Sequence, residues 1–185
     1  MQSLVDYSKK YPNGLTYASP GNGSIGHLTG ELLKTATGAN LLHVPYKGAA
    51  PATADLIGGQ VDLGFSSIPA VLPHISSGLL KAIAVTTDKR VSAVPQLPTI
   101  SESGFPGLSA YGWYAVVGPV GIPEVIITKI NSDVTQVLAD PEVRAKLALQ
   151  GLEPWTMTPQ ELRSYMQIEV ARWRKVINIS NIKAD

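Results

Sequence analysis

Cysteine is absent from the 185 residues, which removes disulfides, thiolate nucleophiles and thiolate zinc sites from consideration. That absence suits a reducing or an oxidising compartment equally, so compartment has to be argued from something else. Long apolar runs are missing as well. Gly, Pro, Lys or Asp interrupts every candidate before it nears the ~18 residues of a membrane-spanning helix, and no direct membrane insertion is expected. Charge of one sign is also scarce: 15 Lys and Arg stand against 14 Asp and Glu, a formal net charge of +1. No basic cluster is dense enough to neutralise a nucleic-acid backbone, so nucleic acid is not an expected partner. The opening residues, Met1 to Asp6, show neither the basic leader nor the apolar core of an export signal.

What is present is the material of a globular domain. With 44% hydrophobic and 16% charged residues, the chain can bury one good core or two small lobes sharing one. From Leu15 to Thr86, short β-branched or aliphatic runs alternate with helical spacing, the rhythm of an α/β fold with a parallel sheet flanked by helices. Four strands are predicted: Leu15 to Ala18, Leu41 to Val44, Val61 to Phe65 and Leu80 to Thr86. Ser24 is a candidate helix cap and Gly38 a helix stop around Ile25, Leu28, Leu32 and Leu33. Pro51 and Pro69 fit the first turns of two further crossover helices, ended by Gly58-Gly59 and by Gly78.

From Val94 to Gly121 prolines and glycines dominate around one aromatic run, Tyr111 to Tyr114, and Trp113 to Val117 reads as a lone strand. Three helices are predicted beyond it. Pro123 opens one, Asp140-Pro141 a second that ends at Gly151, and Thr158-Pro159-Gln160-Glu161 has the spacing of a capping box for the third. In that third helix the apolar members are expected to face a core and the charges water.

The residues able to do chemistry gather after the first strands. Gly21, Gly23 and Gly26 follow a strand and precede a helix, satisfying G-x-G-x-x-G. A nicotinamide dinucleotide site also requires an acid near the end of the second strand. His43-Val44-Pro45-Tyr46-Lys47 supplies none, although Lys47 could meet a 2′-phosphate, so an NAD(P)-binding enzyme stays open as the alternative. Glycine loops at a helix N-terminus equally favour a carboxylate, through converging main-chain amides and a partial positive charge. Ser19, Ser24 and His27 would add donors at that mouth. A plain tight turn with Ser24 merely capping is the third possibility. A second such loop runs from Val44 through Tyr46, Lys47, Gly48 and Ala49 to Pro51, and Phe65-Ser66-Ser67 would reach the same edge.

Against catalysis, His27, His43 and His74 lie far apart in sequence, with no metal-ligand spacing. No Gly-x-Ser-x-Gly elbow is present. Asp55 and Asp62 are expected to cap or link, and His43 to be a satisfied buried histidine.

The runs Tyr17-Ala18-Ser19-Pro20-Gly21-Asn22-Gly23-Ser24, His27-Leu28, His43-Val44-Pro45-Tyr46-Lys47-Gly48 and Asp55-Leu56-Ile57-Gly58-Gly59-Gln60-Val61-Asp62 resemble the Bug-type substrate-binding receptors of tripartite tricarboxylate transporters. So do Ile83 to Thr86, Leu97 to Gly104, Gly151 to Pro154 and Thr158 to Glu161. The resemblance implies a periplasmic-binding-protein-like receptor of two lobes in the bacterial periplasm. It would close on a small carboxylate and deliver it to transporter membrane subunits, with no cofactor, no metal and no turnover. Carried onto matching positions, the ligand-binding set is Ser19, Gly21, Asn22, Gly23, Ser24, His27, Tyr46, Gly48, Ala49 and Ser66.

The resemblance also implies that the front of the receptor is lacking, so that the second lobe is complete and the first only partial. Residues 7–105 would form the second lobe, 106–122 the inter-lobe crossing, and 123–185 the C-terminal helical part of the first lobe. Helices without their sheet would expose apolar surface and favour a homo-oligomer or a domain swap. A half-site would also hold its ligand less tightly than a closed one.

Overall fold

The structure is a computed structural model describing residues 1–183; the last two residues of the expected 123–185 segment lie outside the described residues. A short helix α1 (Gln2–Ser8) leads into β1 (Leu15–Ser19), α2 (Ile25–Thr37), β2 (Leu41–Pro45), α3 (Ala49–Ile57), β3 (Leu63–Gly64) and α4 (Ile68–Ser76). The three strands form one parallel sheet in the order β2-β1-β3.

Alternation along β1 decides what covers each face. Leu15 and Tyr17 join Leu33, Leu41, Val5, Ile100 and Leu108 in one core. Ala18 points the other way, to Ala52 and Val61. Because successive strand residues face opposite sides, α2 covers one face of the sheet and α3 the other. The sheet is therefore buried on both faces, as parallel sheets require.

Local signals act where expected. Ser24 caps α2 by accepting the His27 amide, and Gly38 ends it in the left-handed region with φ 67°. Asp140 accepts two first-turn amides of α6 (Pro141–Leu149), which follows α5 (Glu124–Ala139). Thr158 and Glu161 form the complete capping box of α7 (Pro159–Ile179). Helix α1 was not expected from the sequence; it buries Val5 and Ser8, and the Ser8 hydroxyl accepts the Asn40 amide at 3.0 Å.

Three expectations fail. Leu80 to Thr86 forms no strand; Val85 alone bridges, in parallel, to Thr99. Its amide donates to the Pro98 carbonyl and its carbonyl accepts the Ile100 amide, so the segment pairs with the following loop instead of extending the sheet. Val85, Val91 and Val94 make a separate small core there. Trp113 to Val117 is not a strand either. Tyr114, Val116 and Val117 are 90%, 70% and 74% exposed; no neighbouring strand takes up their backbone groups.

In α7 the expected division holds only in part: Val176 is buried as an apolar member should be, but a charge is buried with it. Glu169 is buried while Ile168 and Val170 are exposed. The buried carboxylate is satisfied by Trp173 Nε1 at 3.0 Å and by Arg172 at 3.5 Å, and Arg172 itself donates to the Ser109 carbonyl. A buried charge needs such partners. Helices α5 and α6 bury no residue at all, and Val125, Ile126, Ile130 and Val137 stay exposed. The apolar face anticipated for the C-terminal helices is thus uncovered in this chain.

Candidate functional site

Helices α2, α3 and α4 each start at the carboxyl end of the strand before them, so their N-termini share one edge of the sheet. Backbone bonds join the loops. The Tyr46 amide donates to the Ser19 carbonyl and the Gly48 amide to the Pro20 carbonyl, both at 3.0 Å. The third loop is brought in by Gly26: a Cβ built there would lie 2.4 Å from the Phe65 carbonyl oxygen. Only a residue without a side chain allows that approach. The third glycine of the G-x-G-x-x-G run is thereby spent on packing loop against helix.

Gly21 and Gly23 serve the turn, with φ of 144° and 71°, values that side chains other than glycine's strain to adopt. Their amides are largely held inside. Gly21 N–H donates to Ser19 Oγ at 3.2 Å, Gly23 N–H to His27 Nδ1 at 3.1 Å, and Ser24 N–H to the Gly21 carbonyl at 3.2 Å. The glycine cradle imagined from sequence is consequently braced from within. First-turn amides of a helix have no intrahelical acceptor, and α3 and α4 carry no side-chain cap. The first turns of these two helices carry the amides of Ala49, Ala50 and Ile68, whereas Pro51 and Pro69 have none.

The expected residues sort by depth. Ser19 is fully buried and His27 nearly so, whereas Gly23 is exposed and Asn22, Ser24, Tyr46, Gly48, Ala49 and Ser66 are half-buried along the edge. Tyr46 donates its hydroxyl to Asp55 at 2.8 Å, which raises the phenol's pKa and ties the ring to the C-terminal half of α3. Asp62 holds both the Thr16 amide and its hydroxyl at 2.7 Å. Both acids link, as expected.

Sequence reasoning missed the contact between His27 and His43, whose rings stack at 3.7 Å and 11°. The register of the sheet contained the signal. Tyr17 pairs with His43, so His43 projects to the same face as Tyr17 and Ser19, the face that α2 covers. Ser19 Oγ lies 2.6 Å from His43 Nε2. That distance would suit a nucleophile and its base, but Ser19 is 0% exposed and a substrate carbonyl has no approach to it. Burial pushes the pKa of both imidazoles down, that of His43 to about 4 with help from neighbouring His27. Among the described residues no group of three or more His, Asp or Glu could hold a metal ion, and no helix is long and apolar enough to cross a membrane.

Two depressions of about 510 Å³ lie elsewhere, one at the start of α7 and one between α7, Trp113 and Leu28 of α2. Neither involves the loop edge.

A parallel sheet with helices on both faces and loops gathered at its carboxyl edge belongs to the periplasmic-binding-protein-like class of α/β folds. Residues 1–182 match the Tripartite tricarboxylate transporter family receptor, TctC, and the chain belongs to that family. Protein BugT of Bordetella pertussis is 36% identical over 183 residues, which are 99% of this chain and 56% of BugT. Among solved structures, R. palustris Rpa4515 with adipate superposes with a TM-score of 0.89 at 38% identity, covering 98% of this chain and 61% of that one. MatC from Rhodopseudomonas palustris with bound malate gives a TM-score of 0.78 at 29% identity, with 96% and 61% covered. The chain therefore spans little more than half the length of these relatives. Neither the relatives nor the residues after β2 support the dinucleotide alternative: the close packing of Gly26 would suit either ligand, but the end of β2, His43-Val44-Pro45-Tyr46-Lys47, offers no acid for a ribose.

Proposed function

We propose that this chain supplies the ligand-binding lobe of a periplasmic receptor that captures a small carboxylate and passes it to the membrane subunits of a tripartite transporter. The observation that carries this reading is the convergence of the α2, α3 and α4 starts on one sheet edge, the first two loops joined by the Tyr46–Ser19 and Gly48–Pro20 backbone bonds and the third by the close approach of Phe65 to Gly26. Helix N-termini favour anions through bare amides and the helix dipole. The adipate and malate in two relatives belong to the same chemical class.

Within the expected set, Asn22, Gly23, Ser24, Tyr46, Gly48, Ala49 and Ser66 line the mouth, while Ser19, Gly21 and His27 support it from behind. Residues 7–105 act as the ligand-binding lobe, 106–122 as the crossing, and the helices from 123 onward as part of the other lobe. A mouth open to water holds each hydrogen bond to a ligand more weakly than one that a second lobe closes over. The exposed faces of α5 and α7 then favour pairing between chains.

The test is an amide NMR titration of the chain with adipate and with malate at millimolar concentration. Shifts confined to residues 19–27, 46–51 and 66–70 are expected. Saturating shifts elsewhere, or none in those three loops for either acid, would refute the reading; a response to NADH in place of the acids would revive the dinucleotide alternative.

A further inference from the structure

The stacked imidazoles cannot serve a common metal ion, because their nitrogen lone pairs lie in the ring planes and do not converge. Their work is done at the ring edges. His27 Nδ1 accepts the Gly23 amide, so that nitrogen carries no proton and the ring is the neutral Nε2–H tautomer. The Ser19 hydroxyl donates to the Gly21 carbonyl at 3.1 Å and takes the Gly21 amide at 3.2 Å. Its remaining lone pair is filled if His43 donates through Nε2 across their 2.6 Å contact. With one proton and two lone pairs, the hydroxyl is then fully used. The pair thus reaches the exposed glycine loop at two points from inside, Gly23 directly and Gly21 through Ser19.

We propose that His27 and His43 are positioning residues of the glycine loop, a stacked brace that fixes Gly23 and Gly21 while neutral and releases Gly23 when His27 gains a proton.

A proton on Nδ1 turns an acceptor into a donor facing another donor, so the Gly23 bond is lost outright. Protonating His43 leaves its Nε2 donor in place and acts instead through charge, since two imidazolium rings at stacking distance repel. The surroundings hold both rings neutral. Burial disfavours the charged forms, Lys34 on α2 opposes them, and Glu31 on the same helix partly offsets this. From β1, Tyr17 faces the pair and donates to Glu31 at 2.9 Å, and β2 contributes His43 itself. Phe65, beyond β3, brings no charge. Across α2, Glu169 and Arg174 of α7 line the Leu28 side.

The sign follows. A histidine whose folded pKa lies below the ordinary 6.5 binds fewer protons folded than unfolded. The braced form is complete at neutral pH and is lost as pH falls through the lowered folded-state pKa, below 6.5. This inference depends on the loop geometry alone and stands whether or not the loop takes a carboxylate.

The test is a pH titration of the ligand-free chain by NMR, following the Gly21 and Gly23 amides with the ring signals of His27 and His43. Gly23 is expected to shift in step with His27, with a midpoint below 6.5, and its amide exchange, corrected for intrinsic pH dependence, to speed up by about tenfold on the acid side. His27→Asn keeps an acceptor at the position of Nδ1 but cannot titrate. Gly23 should stay protected in it while the pH step disappears. A Gly23 amide indifferent to His27 protonation, or an unchanged step in His27→Asn, overturns the proposal. Adding adipate to the same samples separates the two ideas, since a brace that titrates as described in a chain that ignores adipate counts against the receptor reading alone.

Discussion

Gly26→Ala pits two opposite expectations against each other. Replacing glycine by alanine near the start of a helix should stabilise it by up to about 1 kcal/mol on intrinsic propensity. Here the new Cβ would lie 2.4 Å from the Phe65 carbonyl oxygen and 3.2 Å from Pro20 Cδ, against the 3.4 Å at which ordinary contact begins. Either α2 or the β3–α4 loop has to retreat by about 1 Å, and backbone cannot swing aside as the end of a side chain can. Overpacking of this kind costs about 1–3 kcal/mol. The balance is a net loss of about 1–2 kcal/mol, and with a urea m-value of about 2 kcal/mol/M the midpoint falls by about 0.5–1 M. Urea unfolding followed by circular dichroism and by fluorescence is the assay, coincident curves establishing two-state behaviour. Gly112→Ala is the control. Its Cβ would meet Ile25 at 3.8 Å, and a change within about 0.5 kcal/mol is expected. A Gly26→Ala protein as stable as the parent, or more so, would show that propensity wins and that the third loop is not clamped to α2.

Thr158→Ala removes the hydroxyl that caps α7 and should cost about 1 kcal/mol locally. Hydrogen exchange at the Glu161 and Leu162 amides should quicken by about fivefold, and unchanged rates would mean that Glu161 alone holds the helix start. On α5, Ile126→Lys with Val137→Lys breaks an apolar face that is 46% and 55% exposed at those two positions. Sedimentation should show less self-association than the parent, with the β1–α4 amide spectrum unaltered. Equal association of the two proteins would move the contact off α5.

How far the chain could be read without its tertiary structure depends on the range of each effect. Capping, glycine turns and helix starts are settled among neighbours a few residues apart. Ser24, Asp140 and the Thr158–Glu161 box therefore fall where their spacing puts them, and the parallel α/β rhythm follows from the alternation of apolar periods. The family was legible for the same reason, because its marks are short contiguous runs. The fate of Leu80 to Thr86 was not legible: a strand needs a partner, and the backbone groups of Val85 found theirs in Pro98 and Ile100.

Ownership of the loop amides was likewise decided only in three dimensions. Local spacing promised bare N–H groups between Pro20 and His27. The register of β2 on β1 carries His43 beneath Ser19, and α2 lays His27 across it, so that Gly21 and Gly23 are claimed from inside. By itself the sequence determined where helices begin and which edge of the sheet their dipoles face, since these depend on residues in succession. Only packing decided which donors remain for a ligand, because a hydrogen bond goes to whatever acceptor the fold brings within about 3 Å.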